Sequence, residues 1–181
     1  MDMTCKATAI VLVGPRACGK STLGRRLASL CSWPYVSFGG YVRRVAFSRG
    51  ESASRLEEIG NELIETRGYE GFLSDVLTSS GEKTSNVILD GVRHLDMLQA
   101  VRAIYRHGVS YYLELSEFAR YKRWLAREGI ADTPEHLRRF YCYANAPVER
   151  CVFSLRDHVD YVLDADTSLD LLVDEVMQNL R

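Results

Sequence analysis

Residues 14–22 read Gly14-Pro15-Arg16-Ala17-Cys18-Gly19-Lys20-Ser21-Thr22, which fits the pattern G-x-x-x-x-G-K-[ST]. Each fixed position has a physical task. Gly14 and Gly19 admit backbone conformations that a Cβ would obstruct, so successive N–H groups can turn inward onto an anion. Lys20 brings a compact positive charge to the outer phosphates of a nucleotide, and the Ser21 hydroxyl suits a magnesium ion. A helix starting at the loop adds the positive end of its dipole.

The flanks agree with a phosphate loop. Before it, Ala7-Thr8-Ala9-Ile10-Val11-Leu12-Val13 is a short β-branched run suited to a strand buried on both faces. After it, Leu23, Leu27 and Leu30 recur at helical spacing, with Ala28 beside them. Strand, glycine loop and helix come in the required order. The alternative is a glycine turn that merely joins a strand to a helix.

Composition sets the bounds. The chain has 181 residues, enough for one domain with a well-buried core. With 46% hydrophobic and 26% charged residues it reads as a soluble globular protein. A formal net charge of −1 gives no bulk attraction to nucleic acid, so no nucleic-acid partner is expected. The N-terminal apolar run is too short to span a bilayer and flows into the loop, so we expect neither a membrane partner nor a signal peptide, and a cytoplasmic location. Cys5, Cys18, Cys31, Cys142 and Cys151 form no C-x-x-C pair and leave an odd one over, which reads as reduced thiols. The four histidines show no metal-ligand spacing. Cys18 sits beside Lys20 and a helix N-terminus, a setting that can lower a thiol pKa.

Four further strands are expected at 35–38, 86–90, 109–115 and 159–163, with helical patterns between them. That alternation predicts an α/β fold with a mostly parallel sheet. No repeat, low-complexity tract or linker divides the chain. Between the second and third strands about fifty residues are purely helical. Ser54 with Glu57 predicts a capping box, and Leu56, Ile59, Leu63 and Ile64 form one apolar stripe. Gly68 breaks that helix, and Phe72, Val76 and Leu77 begin another. The insertion reads as a subdomain over a bound substrate or as a plain packing layer.

The third strand runs into Asp90-Gly91-Val92-Arg93. An acidic residue at the carboxyl end of a strand beside the phosphate loop suits a magnesium-bound water; Asp90 can equally cap the helix that begins near His94. After the fourth strand Arg120, Arg123 and Arg127 share one helical face, with Phe118, Tyr121 and Leu125 opposite and expected on the core. Thr133-Pro134 makes an N-cap and first-turn pair for a helix whose apolar stripe is Leu137, Phe140, Tyr141 and Ala144, with Arg138 and Arg139 beside it. Arginines there are either solvated surface or part of the phosphate end of the sheet.

In these motifs the chain resembles the nucleoside monophosphate kinase group of P-loop proteins, nearest to small adenylate-kinase-like and dephospho-coenzyme-A-kinase-like members. Phe38-Gly39-Gly40-Tyr41-Val42-Arg43 is similar to the group's T-G-[DE]-x-x-R segment, and Asp90-Gly91-Val92-Arg93 to its D-G-[FY]-P-R with one residue missing. Gly40 stands where the group has an acidic residue. Dephospho-coenzyme A kinases carry a Pro-Leu-Leu-rich segment that Val92-Arg93-His94-Leu95 does not match, and shikimate kinases an Asp-x-Asp after the second strand that is absent here.

The resemblance implies a P-loop NTPase three-layer sandwich with a five-stranded, mostly parallel sheet of order 2-3-1-4-5. It implies a core of about 1–38, 84–127 and 134–181, a helical acceptor-binding insertion at about 39–83 and a short lid at about 128–133. Residues 14–22 and Arg123 would bind ATP. Gly39, Arg43 and Arg93 would bind the acceptor, and Ser21 and Asp90 a magnesium ion. Lys20, Arg93, Arg127 and either Arg138 or Arg139 would act on the transferring phosphoryl group. The expected partners are ATP with magnesium and a phosphorylated small molecule such as a nucleoside monophosphate. A dephospho-coenzyme A or other metabolite kinase stays open, as does a regulatory ATPase. A GTPase switch does not, since neither an Asn-Lys-x-Asp motif nor a D-x-x-G at Asp90 is present.

Overall fold

The first strand, β1 (Thr8–Val13), divides its side chains between two cores. Ala9, Val11 and Val13 enter one buried cluster, while Ile10 and Leu12 enter another on the opposite face of the sheet. That is the period-2 behaviour of a strand covered on both sides. The computed structural model describes residues 7–80 and 86–180. Cys5 and the expected boundary at 83/84 lie outside the described residues.

From the phosphate loop the chain enters α1 (Lys20–Cys31), then β2 (Tyr35–Ser37) and α2 (Phe38–Ser48). A 3-10 turn at Ala53–Arg55 leads to α3 (Leu56–Thr78). β3 (Asn86–Asp90), α4 (Leu95–Ile104), β4 (Val109–Glu114), α5 (Glu117–Glu128), α6 (Pro134–Ala144) and α7 (Pro147–Ser154) follow. A second 3-10 turn, Leu155–His158, precedes β5 (Tyr161–Asp164) and α8 (Leu169–Asn179). The sheet is wholly parallel, in the expected order β2-β3-β1-β4-β5. Apolar residues of α2, α3 and α4 cover one face; α1 and α8 cover the other. Among the described residues, no helix is long and apolar enough to cross a membrane.

Several local expectations shift. β2 stops at Ser37 because that side chain accepts from the Gly40 N–H and starts α2, so Phe38 is helical. The capping box at Ser54 does not form. Ser52 caps the 3-10 turn instead, and the Glu57 carboxylate is taken by the Val148 N–H, 3.2 Å away. Gly68, at φ 66° and ψ 173°, does interrupt α3. β5 starts two residues later than expected, since Asp160 turns its carboxylate onto the Ser110 N–H at 2.7 Å. Leu30, expected on the buried stripe, is exposed.

A third, separate core joins α5 to α6. Tyr121, Trp124, Leu125, Phe140 and Ala144 bury one another, and Ala17 of the phosphate loop packs against them. Thr133 caps α6 as its sequence implies, accepting from the His136 N–H at 3.2 Å. The face assignment on α5 needs correction: Arg120 is only 3% exposed, whereas Phe118 is 68% exposed. The Arg120 guanidinium is drawn in by the rings of Phe140 and Phe153, 5.9 and 5.7 Å away, an attraction that spacing within one helix cannot reveal.

Candidate active site

Parallel pairing brings the carboxyl ends of β1, β2 and β3 to one edge. Leu12 pairs with Asp90, and Ser37 pairs with Asp90 from the other side. The loop after β1 therefore opens beside Asp90 and the start of α2. Its first glycine is sterically required: Gly14 has φ 140°, and a Cβ there would stand 2.7 Å from the Leu113 carbonyl.

Lys20 is nearly buried and folds back over the loop, its Nζ donating to the carbonyls of Gly14 at 2.6 Å and Pro15 at 2.7 Å. The same ammonium lies 3.5 Å from the buried Cys18 Sγ. Arg123 braces the loop from α5, donating to the Cys18 carbonyl at 2.9 Å and the Ala165 carbonyl at 2.6 Å. Its guanidinium thus ties the loop to the end of β5.

Asp90 is 3% exposed. It does not cap α4: His94 occupies that N-cap, without a side-chain cap bond. One oxygen, Oδ2, instead accepts from the Ser21 hydroxyl at 2.6 Å and from the Tyr35 hydroxyl. Burial, then the neighbouring Asp90 charge, pushes the Tyr35 phenol up to about 12, so it stays a proton donor. Ser21 and Asp90 offer the hard oxygens that magnesium prefers. Among the described residues no group of three or more His, Cys, Asp or Glu side chains could hold a metal by themselves. Two protein oxygens fit an ion that takes its remaining ligands from phosphate and water.

Next to the loop lies a cavity of about 410 Å³. Arg16, Arg43, Arg93, Gly39 and His94 line it, with Glu57, Asn61 and Tyr143, over an apolar floor that includes Phe38, Val42, Ile64, Phe72 and Met97. The expected acceptor residues Gly39, Arg43 and Arg93 therefore meet in one place. Arg43 makes no hydrogen bond or ion pair among the described residues. Arg16, expected on the donor side, turns its guanidinium into this cavity instead. It lies 4.6 Å from the Tyr143 ring centroid and donates to the Tyr143 carbonyl at 2.9 Å.

The organiser of the cavity wall is Glu149, which is fully buried. Its carboxylate accepts the Arg16 backbone N–H at 2.8 Å, lies 3.3 Å from Arg16 Nε, and pairs with Arg93. Glu57 adds a looser pairing to Arg16 at 3.7 Å. The His94 pKa lies below its ordinary value: burial lowers it most and the Arg93 charge lowers it further, with Asp96 opposing. Reasoning from the sequence missed Glu149 and Tyr35. An acidic residue two positions after Pro147 reads only as a first-turn dipole partner.

Of the arginines expected at the lid, Arg127 reaches the cavity wall, its guanidinium 6.0 Å from the Tyr143 ring. Arg127 pairs with Glu128 at 2.9 Å, and the Arg139 guanidinium lies 6.0 Å from the Trp124 ring. Arg138 is exposed beside it. Among the described residues no hydrogen bond joins any of the three to the phosphate loop.

A phosphate loop at the end of the central strand of a parallel 2-3-1-4-5 sheet, with Asp90 on the neighbouring strand, defines a P-loop NTPase fold. The chain belongs to the family described as an AAA domain, matched over residues 10–139. No curated protein matches it in sequence. Solved structures share the fold. A gluconokinase from Sinorhizobium meliloti 1021 has 17% identity and a TM-score of 0.60, over 97% of this chain and 92% of that one. A shikimate kinase from Acinetobacter baumannii in complex with shikimate has 18% identity and a TM-score of 0.57, over 96% and 93%. A shikimate kinase from Aquifex aeolicus has 17% identity and a TM-score of 0.53, over 95% of each. All three are small P-loop kinases in fold.

Proposed function

We propose that the protein transfers the γ-phosphoryl group of ATP to a small molecule bearing an anionic group, a nucleoside monophosphate or a similar phosphorylated compound. One observation carries this reading. The loop that holds Lys20 adjoins a cavity lined by Arg16, Arg43 and Arg93, so in this reading the loop takes the donor and the cavity the acceptor. A regulator that only binds and hydrolyses ATP needs the loop alone.

The residue types suit the chemistry. Phosphoryl transfer asks for alignment and for neutralisation of charge spread over the transferring group, not for a covalent nucleophile. Lys20 and the guanidinium forks of Arg43 and Arg93 supply both. Ser21 and Asp90 hold magnesium, which adds neutralisation at the phosphate oxygens when bound. Arg123 lies along the donor base; Arg127 and either Arg138 or Arg139 complete the charge around the transferring group from the lid. The insertion at about 39–83 binds the acceptor, and the segment at about 128–133 acts as the lid.

A second acceptor class has an observation of its own. Against the three cavity arginines stand Glu57 and Glu149, leaving a formal excess of one positive charge. That suits a carboxylic acid as well as a phosphate, and two of the proteins sharing the fold are named for the substrate shikimate. A coupled ADP-release screen over nucleoside monophosphates, nucleosides, hydroxy acids and dephospho-coenzyme A decides between them. Acceptor-dependent release supports a kinase; release that no acceptor raises overturns it in favour of a regulatory ATPase.

A further inference from the structure

Asp90 is held unequally. Both hydroxyl donors, Ser21 and Tyr35, bond the same oxygen, Oδ2, and Oδ1 accepts no hydrogen bond among the described residues. A serine hydroxyl can ligate an ion through a lone pair while its proton stays on the carboxylate, so Ser21 can serve the metal and still donate to Oδ2. Tyr35 is the second donor on Oδ2, and it comes from outside the phosphate loop and its helix. Its ring has been given room to reach: Gly24 of α1 faces it, and a Cβ there would stand 2.7 Å from Tyr35 Cε2 and 3.0 Å from Leu12 Cδ1. The Arg25 guanidinium lies 5.7 Å from the ring centroid. Helix α1, which begins at the phosphate loop, thus carries both the Ser21 hydroxyl and the notch that seats the tyrosine.

Resting on the reading of Ser21 and Asp90 as the magnesium site, we propose that Tyr35 is a positioning residue for the metal, anchoring Asp90 by Oδ2 so that Oδ1 stays open toward the ion and its water. Tyr35 touches neither nucleotide nor acceptor in this role. Its effect passes through the carboxylate, as that of an outer-shell partner does in metal sites generally. Gly24 belongs to the same device, because alanine there would push the ring off the carboxylate.

The test separates metal binding from nucleotide binding and from folding. Titration calorimetry measures the affinity for a non-hydrolysable ATP analogue with magnesium and with EDTA, for the wild type, Tyr35→Phe and Gly24→Ala. Tyr35→Phe removes one hydroxyl and keeps the ring, so the nucleotide-free melting temperature serves as the folding control. The expected result is unchanged affinity in EDTA and a magnesium enhancement reduced roughly tenfold or more in Tyr35→Phe, the size of outer-shell effects on metal affinity. Gly24→Ala, where it folds, reduces the enhancement in the same direction. An undiminished enhancement in Tyr35→Phe overturns the role of Tyr35 and leaves the kinase reading standing. Wild-type binding that is indifferent to magnesium overturns the metal site itself.

Discussion

Arg16, in the phosphate loop, donates its backbone N–H to Glu149 at 2.8 Å across 133 positions of sequence. The same carboxylate pairs with Arg93, so one buried acid ties the loop to the wall of the neighbouring cavity. Glu149→Gln should therefore act on both. The neutral amide leaves Arg93 without its charge partner and Arg16 with only the looser Glu57 pairing, yet both are partly exposed, at 29% and 19%, and water moderates the loss. We expect about 1.5–3 kcal/mol lower stability in urea unfolding, the range for hydrogen bonds to charged groups. Unchanged stability would mean that the carboxylate is not holding the two arginines.

Arg43 gives the complementary case. It is exposed, and nothing among the described residues holds it. Arg43→Ala should leave the melting temperature within about 1–2 °C, since surface substitutions away from structural features change stability by no more than about 0.5 kcal/mol. Acceptor kcat/KM should fall about ten- to a hundredfold, the worth of one charge-assisted contact, with ATP affinity unchanged. A loss confined to ATP binding would move Arg43 to the donor side.

Lys20→Ala should abolish transfer and spare the fold. The ammonium bonds two loop carbonyls rather than filling the core, so its packing share is small. In the proposed transfer its charge serves the transition state, where loss of a preorganised donor costs at least about a hundredfold. Circular dichroism and turnover together check this, and wild-type turnover in the variant would refute the loop's role.

His94 predicts a pH signature. Its folded-state pKa lies below the ordinary 6.5 because of burial and then Arg93. The unfolded chain therefore takes up this proton first; stability is full above 6.5 and declines as pH falls below it. His94→Gln cannot take the proton and should flatten that part of the curve. Denaturation midpoints from about pH 7.5 to 5 test it; parallel curves for the two proteins would contradict the assignment.

What the sequence disclosed follows from distance along the chain. The β1–loop–α1 unit, the Asp90 end of β3 and the Thr133 cap are local patterns, each settled by neighbours within a few positions. Gly39, Arg43 and Arg93 were legible as motifs, and only the parallel pairing of β2 with β3 brings them to one cavity. Glu149 and Tyr35 were not legible. Glu149 meets its partners 133 and 56 positions away, and Tyr35 meets Asp90 55 positions away. Glu57 fits a capping box in sequence but is recruited from 91 positions away by Val148, so tertiary contact overrides the local signal. Arg120 is buried for the same reason: the aromatic faces that hold it belong to other helices.

The fate of the γ-phosphoryl group is the most direct measure of the central claim. A single turnover of γ-labelled ATP with magnesium, run with and without the acceptor found in the screen, follows the label itself. We predict label on the acceptor with the wild-type protein and none with Lys20→Ala. Label released as inorganic phosphate, at one rate whether or not any acceptor is present, would contradict the account.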